Sequence, residues 1–241
     1  MMAGLPPKYP DKVVVVTGAR RGIGRLVAMH FLKEGAKVIG FSRGKGSIEH
    51  PGYSHLTVDI RDAGQVRQAF LTIMRTSAAV DILINNAAVL TSLYAMVLPA
   101  GSAQKMVETN LLGTFYVSRE AAKIMKKSKR GRIVNIGSMA SALEPAGDSI
   151  YAASKAGMIS LAGVLAREFA PFNITCNTVS VTAIETDMMN QIPREKLDAI
   201  IHGLPIPRYA QEDDILNVID FFASGRSSYI TGQNIFLGGV H

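Results

Sequence analysis

The segment from Val13 to Gly24 constrains the fold most strongly. Four consecutive valines at 13–16 predict a strand that is buried on both faces, as in a parallel sheet. Glycines follow at 18, 22 and 24, and apolar periodicity predicts a helix from about Ile23 to Glu34. An ordinary tight turn is the simpler reading of the glycines alone. Strand, glycine turn and helix together predict a dinucleotide site, because glycines admit the phosphates to the backbone and the helix N-terminus attracts their charge.

Predicted strands and helices alternate along the whole chain. This alternation predicts one α/β domain over residues 1–241, a doubly wound parallel sheet with helices on both faces and an irregular lead-in at residues 1–10. Glycine and proline interrupt the connection between the second and third strands, which predicts a loop with at most one helical turn. The predicted strands are Lys12–Thr17, Lys37–Phe41, His55–Val58, Ile82–Asn85, Arg132–Ile136, Thr175–Val179 and Asn234–Phe236, and the predicted helices lie near 23–34, 62–75, 102–126, 151–169 and 211–222.

A second group of residues lies in the middle of the chain. Tyr151 and Lys155 are four residues apart, which places them on one face of a helix, and Ser138 lies thirteen residues before Tyr151. A free tyrosine titrates near pH 10, but an adjacent ammonium lowers its pKa. The pair could then exchange a proton with an alcohol or carbonyl oxygen, which Ser138 would also hydrogen-bond. Taken alone, the pair could equally be two neighbours on a helix surface.

These two groups together resemble the short-chain dehydrogenase/reductase family over about residues 11–239. The family's T-G-x-x-x-G-x-G matches Thr17–Gly24, its N-N-A-G matches residues 85–88, and its helix asparagine matches Asn110. The C-terminal run Y-I-T-G-Q-N-I-F-L-G-G resembles the bacterial 3-oxoacyl-[acyl-carrier-protein] reductase branch. The resemblance implies a Rossmann-type sheet of about seven strands in the order 3-2-1-4-5-6-7.

The resemblance also implies a nicotinamide cofactor, no metal, and a role for each matched residue. Tyr151 would protonate the carbonyl oxygen of a ketone, Ser138 would orient that oxygen, and Lys155 would hold the nicotinamide ribose. Asn110 would position a water that relays protons to Lys155, or else makes only a hydrogen bond within its helix. The expected catalytic residues are Asn110, Ser138, Tyr151 and Lys155. The expected cofactor-binding residues are Gly18, Arg20, Arg21, Gly22, Ile23, Gly24, Ser42, Arg43, Asp59, Ile60, Asn86, Ala87, Tyr151, Lys155, Ile184 and Thr186.

The end of the second predicted strand favours NADP(H) as the cofactor. NAD enzymes of this architecture place an acidic residue there to bind the ribose hydroxyl, whereas K-V-I-G-F-S-R-G-K contains none. Arg21 and Arg43 supply guanidinium groups that suit the 2′-phosphate, although arginines here could also be ordinary surface charges. Asp59 matches the family's adenine contact.

Two positions depart from the family pattern. Ala88 replaces the last glycine of N-N-A-G, a small change beside the adenosine. Val181 and Thr182 stand where the family usually has Pro-Gly, in the loop that shapes the nicotinamide pocket. Thr186 and the backbone of Ile184 still match the family's carboxamide contacts, so we expect the cofactor to bind.

The substrate is predicted from the segment after the sixth strand, about residues 186–208, which resembles the family's substrate lid. An apolar lid suits an acyl chain and predicts a 3-oxoacyl thioester; alternatively, these residues only pack a helix onto the body. The short connection after the second strand leaves open an NAD(P)-dependent dehydrogenase of a small cyclic secondary alcohol. The altered loop at 181–182 leaves open a catalytically silent NADPH-binding scaffold or sensor. The apolar residues of the segment are Met188, Met189, Ile192, Leu197, Ile200, Ile201 and Leu204.

Composition indicates the environment and the partners. With 48% hydrophobic residues the chain can bury a sizeable core, and its single cysteine, Cys176, excludes an internal disulfide and suits a reducing compartment. We find no targeting segment, no apolar run of about 20 residues and no nucleic-acid module, and therefore expect a cytoplasmic protein without membrane or nucleic-acid partners. By resemblance we expect a homo-oligomer, a tetramer or dimer, formed through the helices that contain Asn110 and Tyr151.

The net charge is +7, and one basic run stands out. It ends the predicted helix at 102–126, where cations are favoured, so a solvated helix cap is the simplest interpretation. The alternative is a docking patch for an acidic acyl carrier protein or an acyl-nucleotide. The run comprises Lys126, Lys127, Lys129, Arg130 and Arg132.

Overall fold

A computed structural model of the chain describes residues 6–77, 79–184 and 194–239. The described residues contain a sheet of seven parallel strands in the order β3-β2-β1-β4-β5-β6-β7, which confirms the predicted fold class and strand order. The strands are β1 (Val13–Thr17), β2 (Lys37–Ser42), β3 (Tyr53–Thr57), β4 (Ile82–Asn85), β5 (Gly131–Ser138), β6 (Ile174–Val181) and β7 (Asn234–Phe236).

Helices lie in most of the connections between strands and cover both faces of the sheet. A segment of π-helix, Glu108–Gly113, joins the helix before it, Ala100–Val107, to the helix after it, Thr114–Ser128. The α-helices are α1 (Gly22–Lys33), α2 (Ala63–Thr76), α3 (Ala100–Val107), α4 (Thr114–Ser128), α5 (Ala140–Leu143), α6 (Ser149–Phe169), α7 (Arg194–His202) and α8 (Glu212–Ala223).

The valine run of β1 is buried on both sides because side chains alternate between the two faces of a strand. Val13 and Val15 pack into one apolar cluster with residues of α2, α4 and α6. Val14 and Val16 pack into a second cluster with residues of α1 and α8. The sheet is thus the middle of three layers, which is why its central strand reads as a continuous apolar run.

Side-chain caps fix where two helices begin. The Asp62 carboxylate accepts hydrogen bonds from the backbone N–H groups of Gly64 at 2.8 Å and Gln65 at 3.0 Å, which starts α2. Gln211 and Asp214 form a reciprocal capping box at the start of α8. Three acidic residues in the first turn of α8 add a favourable interaction with the helix dipole.

The predicted element bounds differ from the observed ones at several points; strands β5 and β6, for example, each end two residues later than predicted. The third strand begins at Tyr53, two residues before the predicted start. The helix predicted near 102–126 starts at Ala100 and ends at Ser128, and its middle is π-helical. The predicted loop after β2 is confirmed, since residues 43–52 contain no helix. A helix at 194–202 lies where the sequence predicted only a lid segment.

Helix α6 with its following turn, Ser149–Phe172, is long and apolar enough to span a membrane by length and composition, contrary to our count of apolar runs. It packs against β5 and β6 and contributes several residues to the core between the sheet and the helices. Its apolar character is therefore explained by packing inside the fold.

All seven strands are parallel, so their carboxyl ends meet at one edge of the sheet. We call it the carboxyl edge, and the opposite edge the amino edge. Strand β5 runs from Gly131 at the amino edge to Ser138 at the carboxyl edge. Seven residue steps separate these edges by roughly 23 Å.

Candidate active site

The glycine turn closes tightly against the end of β4. Gly18 and Gly22 have positive φ angles of 70° and 53°, which favour glycine. A side-chain carbon at Gly24 would overlap the carbonyl oxygen of Gly18 and the amide of Asn86. Asn86 Nδ2 donates to the carbonyl oxygen of Thr17 at 2.9 Å, and Thr17 Oγ1 accepts from the Asn86 backbone N–H at 2.9 Å. These contacts fix the position of the glycine turn at the N-terminus of α1.

A cavity of about 680 Å³ lies in front of this turn at the carboxyl edge. Its size is within the range of small-molecule and cofactor sites. Eleven predicted cofactor residues line it: Gly18, Arg20, Arg21, Gly22, Ile23, Ser42, Arg43, Asp59, Ile60, Asn86 and Ala87. The glycine cradle and the helix N-terminus together fit a dinucleotide.

The charge of the cavity wall is mostly positive. Four arginines line it, and Asp59 is the one carboxylate among the described lining residues. Asp59 is held by Arg61, whose Nη2 lies 2.6 Å and whose Nε lies 3.0 Å from Asp59 Oδ2. Hydrogen bonds from Arg61 lower the pKa of Asp59, and the charge of Arg43 adds to this effect. Sequence reasoning missed Arg61, whose only signal is its position two residues after Asp59.

The predicted ribose-phosphate contact Ser42 belongs to a hydrogen-bonded chain beneath the loop that follows β2. Ser42 Oγ lies 2.9 Å from His55 Nε2 and donates to the carbonyl oxygen of Gly44 at 2.9 Å. His55 Nδ1 lies 2.8 Å from the hydroxyl of Tyr53. These hydrogen bonds fix the end of β2 and therefore also the backbone of Arg43.

The predicted Ser–Tyr–Lys group assembles at the same edge. Ser138 ends β5, and Tyr151 and Lys155 lie on the first two turns of α6. All three are buried, with 8%, 8% and 4% of their surfaces exposed. Lys155 Nζ lies 6.0 Å from the centre of the Tyr151 ring and donates to the carbonyl oxygen of Ile136 at 2.7 Å.

The protonation of this group differs from the sequence prediction. Burial raises the pKa of Tyr151; a hydrogen bond with Ser138 opposes the rise, and the charge of Asp148 adds to it. Burial also lowers the pKa of Lys155 to about 8. The predicted lowering of the tyrosine pKa is therefore wrong for this structure, because desolvation of the phenolate is the largest influence on it. A buried protonated phenol is suited to act as an acid.

Asn110 links the loop after β4 to helix α6. Its Nδ2 donates to the carbonyl oxygen of Val89 and to Ser154 Oγ, both at 3.0 Å, and its Oδ1 accepts from the Val89 N–H at 2.9 Å. The side chain of Asn110 therefore bonds to residues outside its own helix. The alternative interpretation of the sequence, a hydrogen bond only within that helix, is not what the structure has. The π-helical segment places Asn110 here, and single π turns often mark functional sites.

The sequence analysis also missed a carboxylate beside Tyr151. Asp148 is 4% exposed and accepts a hydrogen bond from Ser92 Oγ at 2.5 Å. Ser92 lies in the loop after β4, so the contact joins that loop to the start of α6. Only the tertiary structure brings the two residues together, since they are 56 positions apart.

The loop after β6 is described only in part. Val181 and Thr182 stand where the family usually has Pro-Gly, and Val181 is the last residue of β6, where it lies opposite Ser138. Ile184 is buried in the core and does not line the cavity described above. Thr186 lies outside the described residues, as do Met188, Met189 and Ile192 of the predicted lid.

The described part of the lid segment packs onto the body. Leu197, Ile201 and Leu204 are buried in a cluster with Met139 and Ala183, and Ile200 packs against it. This cluster supports the alternative in which these residues hold α7 on the fold.

The basic run lies at the amino edge, away from Ser138. Arg132 is 5% exposed, and Arg130 Nη2 lies 2.7 Å from Asp81 Oδ1. Lys126 Nζ lies 4.5 Å from the centre of the Phe172 ring. These contacts favour a structural role at the end of α4 over a docking patch.

The comparisons with known proteins agree with the fold. The short chain dehydrogenase family matches residues 12–197, and the chain belongs to that family. It is 33% identical over 237 residues to the 3-oxoacyl-[acyl-carrier-protein] reductase FabG of Salmonella typhimurium, covering 96% of this chain and 97% of that protein. The protein is thus an oxidoreductase of a family whose members use nicotinamide cofactors.

Two solved structures share the fold over nearly the whole chain. The ligand-free aldohexose dehydrogenase of Thermoplasma acidophilum has a TM-score of 0.88 at 29% identity, covering 97% of this chain and 95% of that one. A short chain dehydrogenase of Leptospira borgpetersenii with bound NAD+ has a TM-score of 0.90 at 25% identity, covering 100% and 96%.

Proposed function

We propose that the protein is an NADPH-dependent reductase that converts a ketone to a secondary alcohol. The observation that carries the cofactor assignment is the arginine-rich wall at the end of β2, whose one described carboxylate is already held by Arg61. A 2′-phosphate would find guanidinium donors there, and charge-assisted hydrogen bonds of this kind are stronger than neutral ones. Among the described lining residues, a ribose hydroxyl would find no unpaired carboxylate to accept its hydrogen bond.

In this proposal each catalytic residue has one task. Reduced nicotinamide, when bound, supplies a hydride. Tyr151 donates its proton to the carbonyl oxygen, and Ser138 hydrogen-bonds that oxygen and orients it. Lys155 stabilises the phenolate that Tyr151 becomes, and it stands where the family's lysine holds the ribose. Asn110 fixes the loop after β4 against α6, and fixed donors around a developing oxyanion account for much of such catalysis.

The proposed substrate is a 3-oxoacyl thioester. Two observations support it: the similarity to FabG over nearly the whole chain, and the apolar surroundings of Tyr151. Its cluster contains the buried Leu90 and Met106, with Val89, Leu98 and Ile150 packed against it. These side chains suit an acyl chain better than a polar group.

A second candidate is a dehydrogenase of a small cyclic secondary alcohol. The hydrogen-bonded pair of Asp148 and Ser92 near Tyr151 favours it, because a carboxylate can accept hydrogen bonds from a substrate hydroxyl. The helix-free connection between β2 and β3 and the similarity in fold to an aldohexose dehydrogenase also favour it.

A substrate panel separates these candidates. Consumption of NADPH would be followed with a short 3-oxoacyl thioester, the same acyl group on an acyl carrier protein, and a hydroxylated cyclic ketone. The proposal predicts the highest kcat/KM with the thioesters. A preference for the cyclic ketone would support the second candidate, and binding of NADPH without turnover of any substrate would support a silent scaffold.

The proposal extends to partners and location. We propose a cytoplasmic homo-oligomer, a tetramer or dimer formed through α4 and α6. The exposed apolar side chains of Leu112 and Val164 on the π segment and α6 support such an interface. If an acyl carrier protein delivers the substrate, we expect it to approach the carboxyl edge, because Ser138 lies there and the basic run does not.

A further inference from the structure

A second cavity, of about 540 Å³, lies at the amino edge of the sheet, and neither the proposed reaction nor the family resemblance uses it. It is formed by the segment that precedes β1, the starts of β4 and β5, and the end of α8. Its volume is within the range of small-ligand sites. It lies at the other end of β5 from Ser138, roughly 23 Å away.

Cations outnumber carboxylates in the lining of this cavity. The lining contains Lys8, Lys12, Arg130 and Arg132, against Asp81 and Asp220. Glu34 lies nearby and accepts a hydrogen bond from the backbone N–H of Lys8 at 3.0 Å. The described charges around the cavity therefore sum to a positive value.

Both lining carboxylates are already saturated with donors. Asp81 accepts from Lys12 Nζ at 3.1 Å, from Arg130 Nη2 at 2.7 Å and from the Val13 backbone N–H at 3.0 Å. Asp220 accepts from Lys8 Nζ at 2.5 Å and from the Tyr9 hydroxyl at 2.9 Å, and it lies 2.8 Å from His30 Nε2. Neither carboxylate is left to balance another cation.

Arg132 is the lining cation that has no carboxylate partner among the described residues. It is 5% exposed, and among the described residues no carboxylate oxygen lies within 4.0 Å of its guanidinium. The guanidinium donates instead to the carbonyl oxygens of Gly131 at 2.8 Å, Ser224 at 3.2 Å and Gly225 at 3.5 Å. Burial and the nearby charge of Arg130 lower the pKa of Arg132. A guanidinium has five N–H donors, so donors remain for a ligand.

We propose that this amino-edge cavity binds a small multivalent anion that carries phosphate or carboxylate groups. Such an anion would accept hydrogen bonds from the remaining N–H groups of Arg132. It would also neutralise the excess positive charge of Lys12 and Arg130. Arginine forms bidentate hydrogen bonds with both phosphate and carboxylate, so the two kinds of ligand share one recognition chemistry. The site does not depend on the proposed reductase activity.

The variant Gly225→Asp tests the proposal without removing any contact. A side-chain carbon at Gly225 would meet no heavy atom within 4 Å, so the substitution should fold. It adds a carboxylate to the lining, where it would compete with the ligand for Arg132. Gly225→Asn is the neutral control of the same shape. Gly101→Asp, also in open space but outside the cavity, controls for the change in net charge.

The readout is thermal stability in sodium pyrophosphate or sodium citrate, with sodium chloride of equal ionic strength as the reference. Because pyrophosphate can also enter the proposed NADP site, Arg43→Ala would be measured alongside. We expect at least one of the two anions to give a saturable rise in Tm of roughly 3–6 °C at ten times its Kd. The rise should persist in Arg43→Ala, Gly225→Asn and Gly101→Asp, and disappear in Gly225→Asp.

Two results would overturn the proposal. One is a native protein that neither anion stabilises beyond sodium chloride. The other is a rise in Tm that Gly225→Asp retains in full, because the anion would then bind elsewhere. The responses to pyrophosphate and to citrate show which of the two groups the cavity prefers.

Discussion

At the residue scale, burial determines the protonation of two side chains in the site. Tyr151 and Lys155 are both buried, and burial favours the neutral form of each: the pKa of Tyr151 is raised and that of Lys155 is lowered to about 8. The pair can be proposed from the sequence when its spacing is combined with the glycine turn and the family motifs, but its protonation cannot. Desolvation depends on the packing of α6 against the sheet, which no local pattern records.

The first prediction concerns the proton donor. Tyr151→Phe removes the phenolic hydroxyl and little volume, so we expect kcat to fall by at least about a hundredfold, the lower end of general acid catalysis. NADPH binding, measured by fluorescence or calorimetry, should change less than about threefold, since the proposed phosphate and ribose contacts are elsewhere. A variant that keeps most of its turnover would show that another group supplies the proton.

The second prediction concerns Asp148. Its negative charge raises the pKa of Tyr151, so Asp148→Asn should lower that pKa. Reduction requires the protonated phenol, and activity is therefore lost as pH rises through this pKa. The alkaline limb of the kcat profile should move to lower pH in Asp148→Asn. Asp148→Glu, which keeps the charge, should leave the limb closer to that of the native protein, and a limb that does not move in Asp148→Asn would exclude this electrostatic role.

At the element scale, β1, the glycine turn and α1 could be predicted because each is encoded locally. Buried valines specify a parallel strand, and glycines with positive φ specify the turn. The π-helical segment could not be predicted, because Asn110 bonds to Val89 and Ser154, which lie 21 and 44 residues away. The ion pair of Asp59 and Arg61 is close in sequence, but only the fold shows that both residues face the cavity.

The third prediction tests the link that Asn110 makes. Asn110→Ala leaves the part-buried N–H and carbonyl groups of Val89 without their side-chain partners, and each such loss costs about 1–3 kcal/mol. We expect the free energy of unfolding in urea to fall by about 3 kcal/mol in total, and kcat to fall as well because the loop after β4 loses its anchor. Gln104→Ala, an exposed position on α3, is the control and should change neither quantity. An unchanged stability in Asn110→Ala would contradict the structural link.

At the scale of the whole molecule, the parallel sheet separates two kinds of chemistry. The carboxyl edge holds the glycine cradle, the arginine wall and the Ser–Tyr–Lys group, as expected where strands of an open α/β sheet end. The amino edge holds the basic run and the second cavity. The net charge of +7 is therefore distributed over both edges. The sequence alone could not assign the basic run to an edge, because that depends on where α4 ends relative to β5.

The central claim is that this carboxyl edge selects NADPH and uses it to reduce a ketone. Its most direct test is the ratio of kcat/KM with NADPH to kcat/KM with NADH, for the native protein and for Arg43→Ala. One charge-assisted contact to the 2′-phosphate predicts a native ratio of about 10 or more, and a loss of at least about tenfold in Arg43→Ala that falls on NADPH alone. Lys45→Ala, a cation of the same loop that does not line the cavity, should keep the native ratio. A native preference for NADH, or equal losses with both cofactors in Arg43→Ala, would contradict the account.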